Sequence, residues 1–499
     1  MKSANNWIDA KQKGMKMISR QAKWIFLIAS TVVTVHAASQ PNIILLFADD
    51  LGARDLGCFG SSYYETPNLD RLCSQGMKFS NAYSAAANCA PSRASLITGQ
   101  VVPRHGVYTV GSCRRFDRGV VGWGGKIMQG PDRDDRVLLA PECSKGIGSE
   151  RETIGTALQK AGYKTGYFGK WHTGWGGPIP LDAYEDELRG FDQMFLNGPS
   201  HWKPEIWPDT ARPIGEEYLS DYLADHAVQF IRENQGQPFF LFYADFLVHL
   251  PEQAPEPLIE KYKNKPPVDG QKNPTYAAMV ESLDKSMGRI LDVLNEQGLT
   301  ENTLVFFTSD NGGDNRTCNL PLKGSKGMLT EGGIRVPAMV RWPGRVQPGS
   351  VCKEPVCGID LFPTFAAVSG SSVNKENYLL DGENLTPLFE NKPFPERALF
   401  WYMPGYLPGR QAPAAVIRKG DFKLIHFFED NHLELYNLKK DVGETQNLAA
   451  ALPEVAQDMK VRLDAWRKQT GAVIPVRNPD PKVGIMKIGG GWGSVPTAE

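Results

Sequence analysis

Two pairs of oxygen donors follow apolar runs in this 499-residue chain: Asp49-Asp50 after Asn42 to Ala48, and Asp310-Asn311 after Leu304 to Thr308. Adjacent carboxylates raise each other's pKa unless a counter-charge is near. A hard divalent cation relieves that cost, and all-oxygen donors favour Ca2+ or Mg2+ over zinc. Acids at a strand end also serve as caps and turn residues, so the pattern has a plain structural rival. A third stretch, Asn88-Cys89-Ala90-Pro91-Ser92-Arg93, puts a cysteine where a helix should begin, with Pro91 near its first turn. Free backbone N–H groups at such an end favour an anion, and Arg93 adds a planar fork of donors. The rival there is a buried cysteine beside a helix cap.

The elements that must position these groups read as alternating strands and helices. Asn42 to Ala48 is continuously apolar, as in a strand buried on both faces. Phe239 to Ala244 and Leu304 to Thr308 read alike, and Lys164 to Phe168 is a shorter candidate. Ser149 followed by Glu152 suggests a capping box for a helix reaching about Lys160. Ala277, Val280, Leu283, Met287, Ile290, Leu291 and Leu294 give one apolar face to a helix over Tyr276 to Glu296. The alternation predicts an α/β sandwich around a mostly parallel sheet, with ligands beyond the carboxyl ends of its strands. After 381–395 the pattern changes. Leu399 to Tyr402, Ala415 to Arg418, Phe422 to Phe428 and His432 to Tyr436 read as a short antiparallel sheet, and Pro453 to Thr470 as one helix. The expected division is a signal peptide over 1–37, a catalytic domain over 38–385 and a smaller C-terminal subdomain over 386–499.

The Cys89 segment continues as Ala94-Ser95-Leu96-Ile97-Thr98-Gly99. The pattern C-x-P-S-R followed by x-x-L-x-T-G resembles the signature of the formylglycine-dependent sulfatases, in the alkaline phosphatase-like superfamily. The resemblance covers most of residues 41–480. P-N-I-I-L-L-F-A-D-D-L-G (from Pro41), T-P-N-L-D-R-L (from Thr66), G-K-W-H (from Gly169), V-H-L-P (from Val248), S-D-N-G-G (from Ser309) and L-K-G-S-K-G-M-L-T-E-G-G-I-R-V-P (from Leu322) follow in the family's order. It implies an alkaline-phosphatase-like sandwich and conversion of Cys89 to formylglycine by a maturation system. It implies a cation, Ca2+ before Mg2+, held by Asp49, Asp50, Asp310, Asn311 and modified Cys89. Arg93 would hold the hydrated aldehyde, Lys170 and His172 would flank it, and His249 and Lys326 would contact the sulfate or the leaving oxygen. Lys323 and the Glu331-Gly332-Gly333 turn would be structural. In the implied reaction one hydroxyl of the hydrated aldehyde attacks sulfur. The alcohol leaves, protonated by His249 or Lys326, and the second hydroxyl expels sulfate with His172 as base. Two alternatives stand beside it: a phosphodiesterase or phosphonate monoester hydrolase of the same superfamily, and a catalytically silent glycan-binding protein with Cys89 still a thiol.

Lys16, Arg20 and Lys23 precede an apolar run from Trp24 to Val35, and Val35-His36-Ala37 fits a signal-peptidase site. The run is short for a membrane span, so the reading is an exported protein with no stable span, periplasmic or secreted if bacterial and lysosomal or extracellular if not. Export permits disulfides, and Cys352 with Cys357 and Cys113 with Cys143 are local candidates. The chain holds 55 basic and 56 acidic side chains. Residues 1–37 carry six basic and one acidic, which leaves 49 against 55 and a net charge of −6 after their removal. Nothing in that balance suggests a nucleic-acid partner. An anionic substrate must then be attracted locally. Two long insertions span 111–148 and 171–215, and the size of the second and its Trp171, Trp175, Trp202 and Trp207 suggest a sulfated saccharide, with burial of those rings as the plain alternative. His201 and Lys203 are candidates for its carboxylate or second sulfate.

Overall fold

The strand that carries Asp49 and Asp50 at its end is buried over its whole length, and pairs on both sides. A computed structural model describes residues 40–110, 136–173, 189–207, 215–373, 378–407 and 409–486. The expected signal peptide over 1–37, Cys113, Trp175 and most of the two long insertions lie outside the described residues. In chain order the strands of the main sheet are β1 (Asn42–Ala48), β2 (Met77–Phe79), β3 (Lys164–Gly169), β4 (Gln193–Asn197), β5 (Ile206–Trp207), β6 (Phe239–Ala244), β7 (Thr303–Ser309), β8 (Ala338–Arg341) and β9 (Ser350–Cys352). Their spatial order is β9-β2-β8-β7-β1-β6-β3-β4-β5. The five central strands β7, β1, β6, β3 and β4 are parallel, and the antiparallel pairings lie outside them, at β7–β8, β8–β2 and β4–β5.

The two-residue period of β1 feeds two cores. Ile44, Leu46 and Ala48 face a layer with α3 (Leu219–Glu233) and α4 (Pro274–Glu296). Ile43, Leu45 and Phe47 face the other layer, with α1 (Cys89–Thr98), α2 (Ile154–Lys160) and α5 (Leu361–Ser369). This is the sandwich expected from the sequence. Helix α4 starts at Pro274 because the Asn273 side chain accepts from the Thr275 and Tyr276 N–H groups. Helix α2 is not capped by Ser149. Thr153 is extended and exchanges the two capping-box bonds with Thr156, while Glu152 pairs with Lys160 at 2.7 Å.

The second sheet is a meander of β10 (Ala398–Met403), β11 (Ala414–Lys419), β12 (Phe422–Phe427) and β13 (Leu433–Asn437), followed by α6 (Pro453–Thr470). A polar cluster with no exposure ties it to the Glu331 turn. Lys423 Nζ lies 3.0 Å from Glu331 and 2.8 Å from Glu444, and the Tyr83 hydroxyl donates to Glu331 at 2.8 Å. Removing one partner of such a cluster strands a buried charge. Lys423→Ala should therefore lose about 3–5 kcal/mol of stability, read as an earlier unfolding midpoint in urea.

The proposed Cys352–Cys357 pair does not form. Cys352 runs beside Phe79 in the main sheet, Cys357 pairs with Tyr83 in a separate two-stranded ladder, and both thiols are free. The adjacent thiols are instead those of Cys58 and Cys73, which share a hydrogen bond. No helix among the described residues is long and apolar enough to cross a membrane.

Candidate active site

Strand register brings the chemistry together. Ala48 lies opposite Ser309, Phe47 opposite Ala244, and Gly169 opposite Ala244. The carboxyl ends of β1, β7, β6 and β3 are thus level, and Asp49-Asp50, Asp310-Asn311 and Lys170 emerge side by side. Helix α1 points its first residue at them; all ten of its residues are buried. Cys89 Sγ lies 3.6 Å from Asp49 Oδ1 and 3.8 Å from Asp50 Oδ1.

Cations surround the acids. Lys170 Nζ is 2.5 Å and Arg93 Nη2 3.6 Å from Asp49 Oδ2. Arg93 Nε donates to Asp310 Oδ2 at 2.9 Å, and Lys326 Nζ donates to Asp50 Oδ2 at 2.7 Å. His249 Nε2 stands 3.8 Å from the same Asp50 oxygen. His172 is enclosed next to Lys170 and Arg93. The catalytic and metal-ligating residues expected from the sequence are therefore gathered in one place. Asp50 and His172 adopt φ of 66° and 44°, a left-handed backbone that costs non-glycine residues about 1–3 kcal/mol each. The Asp50 N–H is held there by Asp310 Oδ1 at 3.1 Å.

These neighbours set the charges. Burial alone would raise both aspartates after β1. Lys170, His249 and Arg93 outweigh it at Asp49 and hold that carboxyl well below its usual range. Lys326 and His249 hold Asp50 at about 2. Burial and the Asp49 charge win at Asp310, pushed up to about 7 despite Arg93. Burial raises the Cys89 thiol. Burial, with Lys170 and Lys326 nearby, drops His249 to about 3, and burial with Lys170 and Arg93 puts His172 well below its ordinary value. Both rings are neutral near pH 7. For Lys326 burial is outweighed by Asp50, and its pKa is raised.

A cation fits this donor set. Donor atoms of Asp49, Asp50, Cys89 and His249 lie within 4.8 Å of one another. Asn311 Nδ2 donates to Asp50 Oδ1 at 2.8 Å, and its buried Oδ1 has no hydrogen-bond partner. A buried carbonyl oxygen left so is costly unless something electropositive faces it. Two points differ from the sequence reading. His249, expected against the sulfate, is also within the donor cluster, and Asp310 gives one oxygen to Arg93 and the other to the Asp50 N–H.

A family model described as Sulfatase matches residues 41–371. A sulfatase of Formosa agariphila is 34% identical, covering 88% of this chain and 91% of that protein. The chain belongs to the sulfatase family. It is a sulfuric ester hydrolase with the alkaline-phosphatase-like fold. A second model, N-sulphoglucosamine sulphohydrolase C-terminal, matches residues 325–469. Human arylsulfatase A is 30% identical to this sulfatase, with 92% of this chain and 95% of that one covered. Among solved structures, Ps i-CgsB superposes with a TM-score of 0.72 at 29% identity, covering 89% and 94% of the two chains, and has also been solved with k-i-k-neocarrahexaose.

Several residues of this sulfatase are placed otherwise than the sequence suggested. His201 has no exposure; its Nε2 bonds the His249 carbonyl at 2.8 Å and its ring packs on Phe246, so it positions the His249 backbone. Lys203 is exposed and pairs with Glu216. Trp171 is buried against Tyr167 and Phe191, and Trp202 packs on Tyr218. Lys323 bonds the Tyr436 hydroxyl and Glu331 sits in the buried cluster, structural as expected. The sequence reading missed Tyr167, whose hydroxyl bonds the Lys170 carbonyl, and Arg316 and Arg410. Arg316 had a legible signal, because it follows Asp310-Asn311 in the same post-strand loop. Arg410, nearly a hundred residues on, had none.

Proposed function

We propose that this sulfatase cleaves a sulfate ester on a saccharide, using a formylglycine made from Cys89 and a divalent cation, Ca2+, at Asp49, Asp50, Asp310 and Asn311. One observation carries the reading: Cys89 opens a fully buried helix within 3.8 Å of two carboxylates, in a ring of fixed cations. The cation, when bound, would neutralise the clustered carboxylates and polarise oxygen beside them. The modified side chain would supply hydroxyls where a thiol cannot. This chain's own groups do the rest. Arg93 and Lys170 fix Asp49 and place positive charge where ester oxygens gather negative charge. His172, neutral, is suited to accept a proton. His249 directs Nδ1 to the Leu250 carbonyl at 2.7 Å, so Nδ1 carries the ring hydrogen and Nε2 turns a lone pair to the site. That leaves Lys326 to protonate the leaving oxygen.

The saccharide is supported by Ps i-CgsB, solved with a neocarrahexaose. In this proposal residues 1–37 direct export and are removed, a formylglycine-generating system matures the chain, and 386–499 form a smaller subdomain beside the catalytic 38–385. The test uses protein co-expressed with a maturation enzyme. Hydrolysis of 4-nitrophenyl sulfate should far exceed that of 4-nitrophenyl phosphate and fall on exhaustive metal removal. The peptide holding residue 89 should be lighter than its cysteine form by mass spectrometry. Faster phosphate hydrolysis would favour a phosphoesterase, and glycan binding with an intact thiol a silent lectin-like protein.

A further inference from the structure

Beyond Asn311 the same loop reaches Asp314 and Arg316. Arg316 is fixed along one edge. Its Nε donates to the two Asp314 carboxylate oxygens at 2.9 and 3.0 Å, and its backbone N–H donates to Oδ1 at 2.9 Å. Its plane rests 5.4 Å from the Tyr276 ring centroid, and the Tyr276 hydroxyl is itself anchored on Asp55 at 2.6 Å. The other edge differs. Nη1 and Nη2 are buried and make no hydrogen bond, although Nη2 is within 2.9 Å of Asp314 Oδ2 as an ion pair. Nη2 is also 3.8 Å from Asp50 Oδ2, the oxygen on which Lys326 Nζ sits at 2.7 Å. A guanidinium carries five donors, and here the Nη edge faces the side where Lys326 would meet the leaving group.

Arg410 reaches the same place from the other sheet. It lies in the connection between β10 and β11, beside the Leu407–Gln411 bridge, and is 7% exposed. Its Nη1 donates to the Lys326 carbonyl at 2.5 Å. The charges it feels are those of Asp314, Asp50, residue 89 and Arg316, and burial pulls its pKa down in spite of the acids. An anion here would stabilise a charge that the protein interior disfavours. The wider balance points the same way. Arg93, Lys170, Lys326, Arg316 and Arg410 face Asp49, Asp50, Asp310 and Asp314, one cation in excess. The divalent ion proposed above adds two positive charges, while one sulfate ester brings a single negative one.

We propose that Arg316 and Arg410 form a second anion subsite, which takes a further carboxylate or sulfate of the saccharide on the leaving-group side. The inference rests on the saccharide sulfatase reading. It moves the recognition role from His201 and Lys203, which are engaged elsewhere, to Arg316, whose guanidinium is held along one edge and has two buried nitrogens without a hydrogen bond, and to Arg410 beside it. Arginine suits the task because its planar donors match a carboxylate or sulfate edge.

The experiment compares kcat/KM on three probes. These are 4-nitrophenyl sulfate, a disulfated galactose, and a monosulfated disaccharide carrying a uronate. The wild-type enzyme should prefer one doubly anionic probe over 4-nitrophenyl sulfate. That preference should fall about 10- to 100-fold in Arg316→Gln and in Arg410→Gln, the scale of a lost charge-assisted hydrogen bond. The loss should appear mainly in KM, and Arg316→Lys, which keeps the charge, should recover part of it. The probe that loses its advantage identifies the anion as sulfate or carboxylate. No preference in the wild type, or an unchanged preference in variants that fold and turn over, overturns the subsite. Absence of 4-nitrophenyl sulfate hydrolysis by matured wild-type protein would instead overturn the sulfatase mechanism on which it rests.

Discussion

Cys89→Ala is expected to remove turnover of 4-nitrophenyl sulfate, by roughly 10^6-fold, the scale of deleting a covalent nucleophile. The fold should survive. The side chain is 1% exposed and the change removes one sulfur atom, so circular dichroism and the unfolding midpoint should move little. Unmodified wild-type protein should be equally silent. Burial raises the Cys89 thiol above its ordinary pKa, so it is not a thiolate at neutral pH and is a poor nucleophile. Activity should track the fraction of chains whose residue-89 peptide has the lighter mass. Full activity in the alanine variant would end the mechanism.

Lys326→Ala should lower kcat by about 10^2- to 10^4-fold on a sugar sulfate, the range of a positioned general acid. Its amine is fixed by Asp50, its backbone N–H by the Gly313 carbonyl at 2.9 Å, and its carbonyl by Arg410. The loss should shrink on aryl sulfates as the leaving phenol becomes more acidic, because such groups depart without a proton. His249→Ala should show no such dependence, since Nε2 offers a lone pair rather than a hydrogen. The reverse pattern across a series of substituted phenyl sulfates would hand the role to His249.

The frame of the site was legible because its signals are local. A continuous apolar run ending in two acids can be read without knowing its partners, and β1 and β7 fell within a residue of their expected ends. Helix α2 shows the limit. Ser149 and Glu152 have capping-box spacing, yet the backbone becomes extended at Thr153, and there the cap forms. Long-range pairings were not legible. Cys352 and Cys357 are close in sequence but are drawn to different ladders by Phe79 and Tyr83. His201, in an insertion, reads in the sequence as a candidate for recognising a carboxylate or second sulfate, and only the fold shows its ring packed on Phe246. The convergence of Arg410 on Lys326 depends on how the second sheet docks, which no local pattern encodes.

The central position of β1 has a consequence for how the protein is made. Ile43 leaves the ribosome well before its neighbours in the sheet, Phe240 and Leu304. Until both arrive, a seven-residue strand with six apolar residues has two unpaired edges. Contacts so distant along the chain slow folding and leave such a segment open to aggregation. Nascent chains should therefore depend on chaperones until β7 has been synthesised. Truncations ending before residue 303 should accumulate in the insoluble fraction rather than as a folded half-protein.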